Sequence, residues 1–109
     1  MLEGILYELL EKREGSAVVR ILPESPIYKA HFPTYPVTPG VTILQMALEV
    51  SGLRLSAARD IKFVVPILPS AEGPVVRFEW SFPEPGLSDV RVYLPEDQLC
   101  AKMSLQYEG

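Results

Sequence analysis

Between residues 23 and 40 the chain reads PESPIYKAHFPTYPVTPG, with prolines at 23, 26, 33, 36 and 39. Each proline removes a backbone donor and biases the residue before it away from the helix. The segment is therefore expected to hold no regular element. It reads as a long connection, and long ordered connections often carry function. Everything else in the chain has to fold around it.

On its C-terminal side the period changes. VTILQMALEVSG is rich in helix formers and ends at Gly52, a suitable cap. A helix over about residues 40–52 is expected. Val41, Ile43, Leu44, Met46, Ala47, Leu48 and Val50 leave only a narrow polar line of Thr42, Gln45 and Glu49. A helix apolar on nearly every side is usually wrapped by something larger.

The wrapping is expected to be a sheet. AVVRIL at 17–22 is β-rich, with Val19 and Ile21 on one face, after a turn at EGS. Residues 3–12 read as strand or short helix. DIKFVVPILP at 60–69 reads as a strand with a late bulge or edge at Pro66. PVVRFEWSF at 74–82 places Val76, Phe78, Trp80 and Phe82 together. FPEPGLSD reads as a turn and VRVYL at 90–94 alternates again. LCAKMSLQY at 99–107 sets Leu99, Ala101, Met103, Leu105 and Tyr107 against Cys100, Lys102, Ser104 and Gln106. Period two marks a sheet with one covered face. One buried helix and five or six antiparallel strands make an α+β domain, expected to be single over 1–109.

The 109 residues are 48% apolar, enough for a core. A domain this small gains from a partner subunit. The formal net charge of −4, with no basic run, argues against nucleic-acid binding. Cys100 is the only cysteine, so no disulfide or cysteine metal site is expected. The start, MLEGILYELLEKREG, has no secretory signal, and no apolar run reaches membrane-span length. A cytoplasmic setting is the expectation, with no metal and no cofactor.

The only histidine, His31, falls inside the proline-rich segment. A lone histidine in a loop can simply pack or hydrogen-bond. Here it is followed by rigid spacing, a Pro-Gly pair and a helix start. Free N–H groups near Gly40 and Val41 would favour an oxygen carrying negative charge, and glycine lets a ligand approach them. A thioester carbonyl polarised there would acidify the neighbouring carbon. His31 is then a candidate general base, held at a set distance by the prolines.

HFPTYPVTPGVTILQMALE resembles the signature of the 3-hydroxyacyl-acyl carrier protein dehydratases, approximately HFPGxPVxPGVxxxEAxAQ. The match falls on His31, Phe32, Pro33, Pro36, Val37, Pro39, Gly40 and Val41. LPESPIYKAHFP is similar to the family's NPESPFFQGHFP, and IKFVVPILPS to its KFxxPVxPG strand. The resemblance implies the hot-dog fold, a curled antiparallel sheet around a central helix. It implies a hydro-lyase of fatty acid biosynthesis acting on acyl thioesters of acyl carrier protein or coenzyme A. It carries the catalytic histidine onto His31 and the carbonyl-binding backbone onto Gly40. The family's catalytic carboxyl falls on Gln45, which has no ionisable proton to give. The family's glycine after HFP is Thr34 here. Tyr35 falls beside the substrate channel, where its hydroxyl orients a ligand or its ring packs.

The resemblance also implies a homodimer, or a higher oligomer built from dimers, whose active site takes histidine and acid from different subunits. Three functions stay open: a dehydratase-like protein, a hot-dog thioesterase in which Gln45 places a water, and a non-catalytic acyl-carrier-binding subunit paired with an active paralogue. Glu49, one turn beyond Gln45, reads either as a displaced acid or as an ordinary polar group near the helix end. Arg54, Arg59 and Lys62 form a candidate basic patch for the carrier protein.

Overall fold

Apolar–polar alternation turns most of this chain into one sheet. The computed structural model describes residues 1–30, 38–70 and 72–108. Its strands are β1 (Tyr7–Arg13), β2 (Ser16–Ile21), β3 (Arg54–Phe63), β4 (Val75–Glu84), β5 (Leu87–Leu94) and β6 (Gln98–Glu108). They form a six-stranded sheet in the order β1-β2-β4-β5-β6-β3, with all neighbours antiparallel. Helix α1 (Pro26–Ala30) and helix α2 (Gly40–Ser51) lie between β2 and β3 in the chain. Helix α2 touches β2 and β4 and also β3, at the far edge. A flat sheet could not reach it from both sides, so the sheet curls around it. This is the α+β hot-dog architecture.

The core lies between the helix and the inner sheet face. Ala17, Val19 and Ile21 of β2, Val76 and Phe78 of β4, and Val90 and Val92 of β5 are buried against Ile43, Met46, Ala47 and Val50 of α2. Burying each such side chain stabilises the fold by about 1.5–3 kcal/mol. The helix stops where Gly52 adopts the left-handed conformation (φ 75°) and its N–H bonds to Leu48 O at 2.9 Å. A side chain at that position would be strained.

Several expectations need correction. Residues 26–30 form helix α1 within the proline-rich segment. Pro26 opens that helix, where its missing N–H costs nothing. Strand β3 begins at Arg54, six residues before the expected start, and ends at Phe63, so Pro66 lies beyond it. Pairing with β6 imposes the strand on RLSAARD, which has little intrinsic β preference. The expected turn FPEPGLSD is mostly strand, with only Pro85 and Gly86 between β4 and β5. Residues 7–13 resolve the strand-or-helix choice as strand.

Helix α2 is buried on one face only. Val41 is 73% exposed, and Leu44 and Leu48 are half-buried. In β6 the alternation breaks at Cys100. Val92 faces Ala101 and Tyr93 faces Leu99, so Cys100 is the extra residue of a bulge. It is fully buried, and burial pushes its thiol pKa up to about 11. Trp80 packs partly buried against the core, whereas Phe82 on the same face is exposed and meets Tyr107 edge-on.

Candidate functional site

The start of α2 is built around Thr38 and Pro39. Thr38 donates its N–H to Ile67 O at 2.9 Å. Its hydroxyl bonds to the Tyr28 hydroxyl at 2.7 Å, with both residues buried. Burial raises the Tyr28 pKa, and the bond to Thr38 offsets only part of that rise. Pro39 is extended, and its carbonyl accepts from the Thr42 and Ile43 N–H groups and from the Thr42 hydroxyl. The N–H groups of Gly40 and Val41 have no partner among the described residues. That is the usual condition of a helix's first donors.

Beside these donors lies an apolar groove of about 360 Å³, lined by Thr38, Gly40, Ile43, Phe63, Val64, Val65 and Pro66. Its volume falls within the range of small-molecule sites. The Phe63 ring closes on Gly40. A Cβ at Gly40 would come within 2.7 Å of two ring carbons. Glycine is required there for the close approach. Phe63 and Val64 are each 49% exposed, at the end of edge strand β3.

Gln45 lies on the outward face of α2, beside exposed Val41 and away from the groove. Its Nε2 donates to Glu49 Oε2 at 2.9 Å. The Glu49 carboxylate also accepts from the backbone N–H groups of Leu2 and Glu3 and from the Tyr7 hydroxyl at 2.9 Å. Burial alone would raise the Glu49 pKa. The bonds from Gln45, Leu2, Tyr7 and Glu3 outweigh it and hold the carboxyl below its ordinary value. Tyr7 is raised in turn, by burial first and then by its bond to Glu49. Glu49 is therefore an ionised anchor for residues 2, 3 and 7. It has no proton to give near neutrality.

His31 and Tyr35 lie outside the described residues. Residues 28 and 38, which bracket that stretch, are tied together by the Tyr28–Thr38 bond. Within one chain Gly40 faces the groove while Gln45 and Val41 face away from it. The candidate basic patch falls on β3, but not as one cluster. Arg54 meets Glu108 at 3.7 Å, and Lys62 stands opposite Lys102, which stands opposite Arg91. Sequence reasoning missed Phe63 as the groove's ring wall. It also missed Glu49 as an anchor, although Gln45 and Glu49 sit at the spacing that pairs side chains on a helix.

A family model described as ApeI-like, ApeI dehydratase, matches residues 9–83. A curated 3-hydroxyacyl-[acyl-carrier-protein] dehydratase FabZ from Ruminiclostridium cellulolyticum is 31% identical over 57 residues. That match takes in 52% of this chain and 40% of the relative, so the chain spans well under half the relative's length. Among solved structures, the dehydratase heterocomplex ApeI:P from Xenorhabdus doucetiae aligns with a TM-score of 0.66 at 20% identity, covering 92% of this chain and 93% of that one. The PaaI protein of the E. coli phenylacetic acid degradation operon aligns at 0.64 and 14% identity, covering 94% and 82%. Streptococcus mutans smu.793, bound to acetyl CoA, aligns at 0.58 and 13% identity, covering 94% and 89%. At these identities the structures speak for the fold. No helix among the described residues is long and apolar enough to cross a membrane.

Proposed function

We propose, from the premise that this chain belongs to the ApeI-like dehydratase family, that it acts on or binds acyl thioesters in acyl-chain biosynthesis. The observation that carries this reading is the start of α2. Gly40, whose N–H has no partner among the described residues, lines an apolar groove of about 360 Å³ at the helix start. A free backbone donor at a helix start suits a thioester carbonyl, and the apolar walls suit its acyl or pantetheine chain. The thioester is carried by an acyl carrier protein or coenzyme A.

In the dehydration reading, His31 takes a proton from the carbon next to the carbonyl. The electrons of that C–H bond move toward the carbonyl, whose oxygen the helix donors stabilise. They then form the carbon–carbon double bond as the C–O bond at the next carbon breaks. The departing hydroxide needs a proton to leave as water. Gln45 cannot supply one, and Glu49 is already ionised and saturated with donors. The wild-type chain alone is therefore expected to be a weak dehydratase.

Separation of Gln45 from the groove supports a site shared between two subunits. Edge strand β3 ends at the groove with exposed Phe63 and Val64. Pairing of two copies along that edge would complete the sheet and cover those residues. A second reading is favoured by Gln45 itself. The chain then binds acyl thioesters beside a paralogue that brings the missing acid, as the heterocomplex formed by the Xenorhabdus doucetiae dehydratase suggests by analogy.

The test is turnover of 3-hydroxyacyl and acyl thioesters on both carriers, following enoyl formation and free thiol together. Slow enoyl formation without thiol release supports the dehydratase reading. Rapid thiol release alone moves the protein to hydrolysis. No turnover, but acyl thioester binding that gains dehydration when a paralogue is added, selects the second reading.

A further inference from the structure

We propose that Glu49 is a positioning residue for Gln45, one that turns the Gln45 amide oxygen outward as a fixed hydrogen-bond acceptor. A carboxylate only accepts, so the atom of Gln45 that faces Glu49 Oε2 at 2.9 Å must be the amide nitrogen. The orientation of a side-chain amide is usually ambiguous, and here the partner decides it. Glu49 cannot swing away to release it. Its two oxygens share the single backbone N–H of Leu2, and Oε1 also accepts from Glu3 N–H and the Tyr7 hydroxyl. One face of the amide is thus committed, and Oε1 with the second N–H is left for the exposed side.

The consequence is a ligand class for position 45. An outward carbonyl oxygen takes an O–H, from a water or from a hydroxyl on the acyl chain. It holds that oxygen by its hydrogen and leaves the oxygen's lone pairs free. Such a contact orients a hydroxyl or a nucleophilic water, and does not help a hydroxide depart. This deepens the acyl-thioester reading and rests on it for the identity of the ligand. The lock itself does not depend on that reading.

The test uses the full chain with nitrogen-15 in its glutamine side chains. Gln98 and Gln106 are exposed and serve as internal references. In the wild type, one Gln45 amide proton should exchange more slowly with solvent than the protons of those two. Glu49→Met removes the acceptor while keeping a helix former, and the protection should vanish. Tyr7→Phe removes a different Glu49 partner, lowers stability, and should leave the Gln45 protection intact. With a thioester that is turned over, E49M should lower kcat up to about tenfold while KM changes little, the loss of one oriented hydrogen bond. Y7F, which leaves Leu2 and Glu3 holding Glu49, should lower kcat by much less than E49M does, which separates positioning from stability. Gln45 protons that exchange like those of Gln98 and Gln106 in the wild type would overturn the proposal, whether or not any thioester reacts. Equal loss of kcat in Y7F and E49M would also overturn it. Protection at Gln45 with neither binding nor turnover of any thioester would leave the lock standing and count against the acyl-thioester reading alone.

Discussion

Gln45 and Glu49 stand one helical turn apart on α2, joined by an amide-to-carboxylate hydrogen bond of 2.9 Å. Position 45, onto which the resemblance carries the family's acid, thus holds a donor whose acceptor is an ionised carboxylate. That carboxylate also ties the first residues of the described chain to the helix through Leu2 and Glu3.

The pH dependence of stability should report this anchor. The folded pKa of Glu49 is depressed, burial being outweighed by its four donors. Its contribution is therefore complete above the unfolded value, about 4.3, and is lost as pH falls through the lower folded value. At neutral pH, E49M should lower the unfolding free energy by about 1–3 kcal/mol in urea titrations. The deficit should shrink as the pH drops below the ordinary carboxylate range. A deficit independent of pH would remove the ionic anchor.

Tyr28 and Thr38 form the second tie, and it brackets the stretch that contains His31. Tyr28→Phe leaves a buried threonine hydroxyl without its partner, at a cost of about 1–3 kcal/mol. If the tie also sets the place of the base, kcat should fall more than KM rises. A Y28F variant as stable and as active as wild type would show that the bond matters to neither.

Gly40→Ala should separate packing from chemistry. The new methyl meets the Phe63 ring at 2.7 Å, but the ring is half-exposed and can move. Stability should fall by under about 1 kcal/mol. Thioester binding should weaken at least about tenfold, because ring and methyl now occupy the groove. Isothermal titration with a non-hydrolysable acyl thioester analogue gives the comparison. Unchanged affinity would place the acyl group elsewhere.

What the sequence made legible was set by the range of each interaction. Alternation in β4, β5 and β6 is a local pattern and reads directly from Val76, Phe78, Val90, Val92, Met103 and Leu105. The start of β3 does not, because RLSAARD becomes a strand only by pairing with β6. Pro26 concealed α1, since the same residue that breaks a helix interior can open a helix. At the site, the Pro-Gly pair pointed to the helix start and to Gly40. The Phe63 ring on Gly40 and the Glu49 bonds to Leu2 and Glu3 link distant parts of the chain, and no local pattern encodes them.

The proposed pairing of two copies rests on the exposed α2 face and on β3, which has one neighbouring strand among the described residues. Sedimentation at micromolar concentration should give twice the chain mass. A monomer that still turns over thioester would eliminate a site shared between subunits.

The most direct test of the account is the steady-state rate of enoyl thioester formation by wild type, Q45E, H31A and the double variant. Q45E puts a carboxyl where Nε2 now meets Glu49. Repulsion from the Glu49 carboxylate should raise the pKa of the new carboxyl and favour the protonated form that general acid work needs. Acid assistance is worth ~10²–10⁴-fold, and Q45E should recover part of that factor over a weak wild type. H31A should abolish activity in either background. A wild type that is already fast, with Q45E slower, would contradict the claim that Gln45 stands in the place of a missing acid.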